Sequence, residues 1–178
     1  MIYSFNMNNR IILITGVPGS GKSTVTDSLC KLFDKSIHIP VDTLRQMVKG
    51  GYASPENWNE EFEKQYKLAR KNASSIANNA VEEGFVVVID DIVKQEWINE
   101  WRNNLSGYEL KFVLLNPDIE TIKNRNKQRK QSTVPEDFIV PLYEKLSREN
   151  TLENGWICIN NTELSVEETA REIFKLIS

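Results

Sequence analysis

The chain has 178 residues, 40% of them apolar and 26% charged, with a formal net charge of −3. This is a globular composition, not a disordered one, and its acidic balance sets up no global positive field for nucleic acid or an anionic membrane. No apolar run approaches the roughly 20 residues of a membrane span, Met1 to Arg10 lacks signal-peptide order, and Cys30 and Cys158 show no metal or disulfide spacing, so a single cytoplasmic domain over residues 1–178 is expected.

Arg10 to Thr15 is a short run of branched residues stopping at Gly16, which predicts a strand buried on both faces. A glycine-rich turn follows, then a helix over Ser23 to Phe33. Ser36 to Val41 is a weaker strand whose Pro40 suits a sheet edge or a strand end. Beyond it lie a helix over Thr43 to Lys49 and the least periodic stretch, Gly50 to Trp58. From Asn57 to Glu83, the residues Phe62, Tyr66, Ala69, Ala73, Ile76 and Ala80 recur at helical spacing, and the helix ends before Gly84. Phe85 to Ile89 is the strongest strand, and Lys94 to Asn104 is a helix carrying Trp97, Ile98 and Trp101. After a strand at Glu109 to Leu115, Asn116-Pro-Asp reads as an N-cap with proline in the first turn of a helix reaching about Arg129. Pro135 opens another helix to about Asn150, Gly155 to Ile159 is the last strand, and Ser165-Val-Glu-Glu168 is a capping box for a C-terminal helix.

Strands separated by helices imply an α/β fold, a mainly parallel sheet covered on both faces. Such sheets bind ligands at the carboxyl ends of their strands. That directs attention to Gly16 to Ser23, Asp42, Asp90 and Asp91, Asn116, and Asn160 to Thr162.

Gly16-Val17-Pro18-Gly19-Ser20-Gly21-Lys22-Ser23-Thr24 is a complete phosphate-binding loop, placed between the strand and the helix that its mechanism needs. Its glycines let successive N–H groups turn toward an anion, and the following helix adds its positive end. Lys22 is positioned to reach the β- and γ-phosphates of ATP, and Ser23 to bind Mg²⁺.

With this loop, an acid after the second strand and a basic helix near Arg125, the chain resembles the small P-loop kinases. That group includes shikimate, gluconate and adenylate kinases and the chloramphenicol phosphotransferase-like proteins. The matching pieces are Gly16 to Thr24, Val41 to Arg45, Gly50 to Tyr52, Val88 to Asp91, Arg125 to Arg129 and Val134 to Glu136. The resemblance implies a three-layer fold with five parallel strands in the order 2-3-1-4-5 and a small helical lid, about residues 123–136. It also implies that Asp42 is the base that accepts the acceptor's hydroxyl proton. As a bare residue, Asp42 equally suits an N-cap. Arg45 sits where related kinases hold an anionic group of the acceptor, and otherwise reads as a solvated helix arginine.

Asp90 and Asp91, costly past a buried run unless ionised in a polar cleft, divide as Asp90 for the metal and Asp91 for the acceptor, with a helix cap as the other role for either. Arg125 and Arg129, four apart in a basic run, are either lid arginines over the transferred group or one solvated face. Asn161 and Thr162 lie where small kinases pass over the adenine, or form an ordinary turn. Tyr52 and Trp58 offer rings to an organic acceptor or anchor a loop. Trp97, Trp101 and Trp156 have core spacing, and His38 receives no role. The expected activity is ATP-dependent phosphorylation of a small-molecule hydroxyl. Its rivals are a nucleotide or polynucleotide kinase and a regulatory ATPase.

Overall fold

A computed structural model of the chain describes residues 9–54, 59–128 and 134–178. Residues 1–8, Trp58, Arg129 and residues 130–133 of the expected lid lie outside the described residues.

Strands β1 (Arg10–Thr15), β2 (Ser36–Pro40), β3 (Val86–Asp90), β4 (Glu109–Leu115) and β5 (Trp156–Ile159) form one sheet in the order β2-β3-β1-β4-β5. Every pairing is parallel. This is the expected order, and it puts the proline-ended β2 on an edge, where the missing N–H costs no ladder bond. The helices are α1 (Lys22–Cys30), α2 (Val41–Arg45), α3 (Glu60–Glu82), α4 (Ile98–Asn104), α5 (Ile119–Lys127), α6 (Glu136–Glu149) and α7 (Val166–Ile177).

Alternation along the strands divides the core in two. On one face Ile12, Ile14, Val88 and Val113 meet Val25 and Leu29 of α1 and Ile173 and Phe174 of α7. On the other face Ile11, Leu13, Val87 and Ile89 meet Ala69, Ala73 and Ala77 of α3, with Trp101, Ile139 and Trp156. The alanines on α3 let that helix lie close to the sheet, which is the helical periodicity the sequence displays. Trp101 and Trp156 are core, whereas Trp97 is only half-buried. The capping box at Ser165 and Glu168 is formed as expected.

Several boundaries differ from expectation. Asp118, not Asn116, caps α5, its side chain accepting from Thr121 N. The helix after β2 starts at Val41 and ends at Arg45, with Pro40 as its N-cap, so Asp42 sits in the first turn and is not a cap. Proline supplies the extended backbone there and needs no N–H. Neither Asp90, the last residue of β3, nor Asp91 caps a helix, because the next turn starts at Gln95 behind Lys94. Cys158 is exposed, since β5 is the other sheet edge.

Candidate active site

The register aligns Pro40, Asp90 and Ile14 across β2, β3 and β1, so the chain leaves three neighbouring strands at one level. From β1 it turns through the glycine loop into α1. Gly19 adopts φ +94°, and a Cβ there would stand 2.6 Å from the Ile122 carbonyl oxygen of α5. Only glycine fits this passage. The N-cap of α1 is Gly21 in the left-handed region, and no side chain caps the helix. Its first-turn N–H groups thus remain for an anion, with Lys22 as the first helical residue. This cradle, which a side chain would fill, fits a polyphosphate.

Ser23 Oγ donates to Asp90 Oδ2 at 2.5 Å, joining the loop to the end of β3. Burial alone would raise the Asp90 carboxyl, but His38, the Lys22 ammonium and the Ser23 hydroxyl outweigh it and hold the group below the usual carboxylate range. A hydroxyl and an ionised carboxylate in contact are a hard-oxygen donor pair that fits Mg²⁺. His38 Nδ1 contacts Asp27 at 2.7 Å, and its Nε2 lies 3.6 Å from Asp90 Oδ2. Burial works against its charged form, yet the two carboxylates raise its pKa overall. His38 was given no role by sequence reasoning. Its signal is visible only in the sheet, where β2 lies beside β3.

Two residues past Pro40, Asp42 is exposed, and its Oδ1 accepts from the buried Tyr66 hydroxyl at 2.7 Å. Arg45 is no solvated helix arginine. It is 4% exposed, donates to Ala53 O, and lies 4.8 to 5.1 Å from the ring centroids of Tyr52, Phe62 and Tyr66. Gln65 fastens the same loop by accepting from Ala53 N and donating to Gly51 O. Tyr52 thus covers Arg45 with one face and stays 40% exposed.

Asp91 contradicts the expectation of two ionised acids. It is 4% exposed, and its Oδ1 accepts from Ile92 N while Oδ2 has no partner among the described residues. Burial, with the charges of Asp42 and Asp90 and against that of Arg70, pushes its carboxyl up to about 8. Between the ordinary carboxylate pKa of 3.8 and that value, the folded chain keeps a proton that the unfolded chain releases, so Asp91 lowers stability as pH rises. Stability should decline by up to about 1.4 kcal/mol per pH unit across this window. Asp91→Asn should flatten the dependence and leave the variant the more stable form at pH 7. Urea unfolding at pH 5, 6, 7 and 8 reads both effects, and parallel curves would show that Asp91 is ionised in the folded chain.

On the other side of the loop, Asn161 is buried and donates from Nδ2 to Ser20 O at 3.1 Å, and Thr162 Oγ1 accepts from Asp118 N at 2.8 Å. The triplet after β5 is therefore a brace for the loop and α5, more than an ordinary turn. Arg125 donates to the carbonyls of Asn161 and Thr162 at 3.1 and 3.4 Å. A cleft of about 600 Å³ lies here, lined among others by Gly19, Lys22, Ser23, Arg125, Gln128 and Asn161. Lys123 and Lys127 of the basic run pair instead with Glu136, and Lys123 also with Glu120. Asn126, buried on α5, holds both the N–H and the carbonyl of Val134.

Residues 11–141 match a family described as an AAA domain. Among solved structures, the chain is similar to an unliganded sugar kinase from Janibacter sp. HTCC2649, at 18% identity over 95% of this chain and 94% of that one, with a TM-score of 0.65. It is also similar to the Deinococcus radiodurans tunicamycin resistance protein, at 15% identity over 96% of each chain and TM-score 0.71. A third likeness is the Acinetobacter baumannii shikimate kinase in complex with shikimate, at 20% identity over 95% and 92% and TM-score 0.65. At these identities the likeness is one of fold, a P-loop kinase fold spanning nearly the whole chain.

Proposed function

The chain belongs to the AAA domain family, and from that premise we propose that it is an ATP- and Mg²⁺-dependent phosphotransferase acting on a hydroxyl of a small molecule. The observation that carries this reading is the exposed Asp42 carboxylate, anchored through one oxygen and standing past the same sheet level as the Ser23–Asp90 pair. A switch or motor needs the nucleotide side alone, whereas a second carboxylate with aromatic walls serves an acceptor. The antibiotic, sugar and sugar-acid classes are supported by the names of the similar structures, a sugar kinase, a tunicamycin resistance protein and a shikimate kinase.

In this mechanism the triphosphate lies in the cradle of residues 16–24, with Lys22 on its β- and γ-phosphates. Ser23 and Asp90 would hold Mg²⁺, which supplies neutralisation of the phosphate charge. The acceptor hydroxyl attacks the γ-phosphorus in line, its proton passes to Asp42, and the bond to the ADP oxygen breaks, giving a phosphate ester and ADP. Arg125 borders the nucleotide, and its role, shared with Arg129, is to offset charge on the transferred group. Asn161 and Thr162 form the wall toward the base. On the acceptor side, Tyr52 offers its exposed ring, and the caged Arg45 behind it adds positive charge to that wall without an open edge. A cytoplasmic location suits the free thiols Cys30 and Cys158.

The test is a γ-phosphate transfer screen with ATP and Mg²⁺ against chloramphenicol, D-glucose, D-gluconate, shikimate, uridine and a 5′-hydroxyl oligoribonucleotide. Transfer to one of the first four is expected. Transfer confined to uridine or the oligoribonucleotide would replace the acceptor class with a nucleoside or polynucleotide. ATP hydrolysis indifferent to all six would overturn the phosphotransferase reading in favour of a regulatory ATPase.

A further inference from the structure

Asp42 projects from the first turn of a five-residue helix, a position that by itself leaves a carboxylate free to rotate. Its Oδ1 is nevertheless fixed from another element. Tyr66 of α3 donates its hydroxyl to that oxygen at 2.7 Å, and Arg45 Nε lies 3.9 Å from the same atom. Among the described residues no hydrogen bond reaches Oδ2.

The phenol is itself held on all sides. Tyr66 is 7% exposed, and its ring lies 5.0 Å from Phe62 and 6.3 Å from Trp97 between centroids, stacked on the latter. The guanidinium of Arg45 approaches it at 5.1 Å and that of Arg70 at 5.8 Å. Arg70 is in turn fixed by two hydrogen bonds to Glu100, at 3.2 and 2.9 Å. A ring held between two cations and two other rings places its hydroxyl without searching rotamers, and that order is transmitted to Oδ1 of Asp42.

We propose that Tyr66 is the positioning residue of this site, holding Asp42 by Oδ1 so that Oδ2 meets the acceptor hydroxyl. The inference rests on Asp42 serving as the base. The titratable and charged groups facing the phenol are Asp42 and Arg45 from α2, Arg70 from α3, and Asp91 just past β3. Burial first, then the charges of Asp42 and Asp91, keep the phenol protonated well above its ordinary range, against Arg45. It therefore remains a donor throughout neutral pH. The sequence shows Tyr66 only as one more apolar position in the α3 pattern.

The experiment compares wild type, Tyr66→Phe, Asp42→Asn and the double variant, using the best acceptor of the six-compound screen and water. Tyr66→Phe should lower kcat about 10- to 100-fold, the weight of one hydrogen bond to a charged group, while KM for ATP stays unchanged. In the Asp42→Asn background the same change should cost nothing further, because the base it serves is gone. A kcat within twofold of wild type, or an equal added loss in the double variant, overturns the proposal. If Asp42→Asn itself leaves turnover intact, it is the base assignment that falls, and this proposal with it. Should Tyr66→Phe fail to fold, 3-fluorotyrosine at position 66 keeps the ring and makes its hydroxyl more acidic. The kcat should then change in the otherwise wild-type chain and not beside Asp42→Asn, and equal changes in the two backgrounds would overturn the proposal.

Discussion

Asp42→Asn should reduce phosphoryl transfer by about 10²- to 10⁴-fold, the usual weight of a positioned general base, while ATP binds as in the wild type. Asparagine is isosteric, and its Oδ1 still accepts from the Tyr66 hydroxyl, so the side chain stays in place. Asp42 is exposed, so its own charge is not a buried one, and the buried Arg45, 3.9 Å from Oδ1, keeps its bond to Ala53 O and its three aromatic neighbours, so the fold is retained. What is lost is the basic lone pair on the second oxygen. The nucleotide side is built from other elements, the residue 16–24 loop, α1 and the end of β3, and none of these hydrogen-bonds to Asp42 among the described residues. Calorimetric titration with ATP and Mg²⁺ should therefore give wild-type affinity, whereas the initial rate of ester formation collapses. Near-normal turnover would remove Asp42 from the chemistry. A parallel loss of ATP binding would make it a structural residue.

The nucleotide side is legible in the sequence because the chemistry is local. The residues that turn the chain, bind the phosphates and start the helix are contiguous from Gly16 to Thr24, so their spacing alone encodes the geometry. The sheet order is legible for a similar reason: short apolar runs and amphipathic stretches alternate, and the resemblance to small kinases supplies the order that periodicity leaves open. The acceptor side is assembled from distant positions. Tyr66 and Arg70 lie on the apolar stripe of α3 and reach Asp42 and Asp91 only because α3 crosses beside β2 and β3. Nothing in their own neighbourhoods distinguishes them from core residues. Burial is equally invisible locally. Arg45 becomes an aromatic-caged cation because Tyr52, Phe62 and Tyr66 converge on it, and Asp91 holds its proton because the end of β3 delivers it into a buried place beside Asp42 and Asp90, against the opposing charge of Arg70. The misassigned caps have a simpler cause: Asn116 and Asp118 are both good caps, and the local backbone chose the second.

Gly19→Ala tests how tightly the nucleotide cradle is coupled to α5, and its effect should exceed what backbone strain alone produces. At φ +94° any L side chain is strained, a cost of about 1–2 kcal/mol. The added Cβ would also stand 2.6 Å from the Ile122 carbonyl oxygen and 3.3 Å from its Cγ2. The nearer atom is helix backbone, which has no rotamer to swing away. Either the loop or α5 must shift, and α5 carries Arg125, whose bonds to Asn161 and Thr162 close the far wall of the cleft. Gly107→Ala is the internal control, since Gly107 has φ +102° with nothing within 4 Å of an added Cβ. Urea unfolding should show a loss of about 3–5 kcal/mol for Gly19→Ala against about 1–2 kcal/mol for Gly107→Ala. ATP affinity should fall by on the order of 10²-fold in the first, the cost of a displaced charge-assisted contact or two, and not in the second. Equal losses in the two variants would mean that α5 yields to the loop without resistance, and that Arg125 does not depend on Gly19 for its place at the nucleotide.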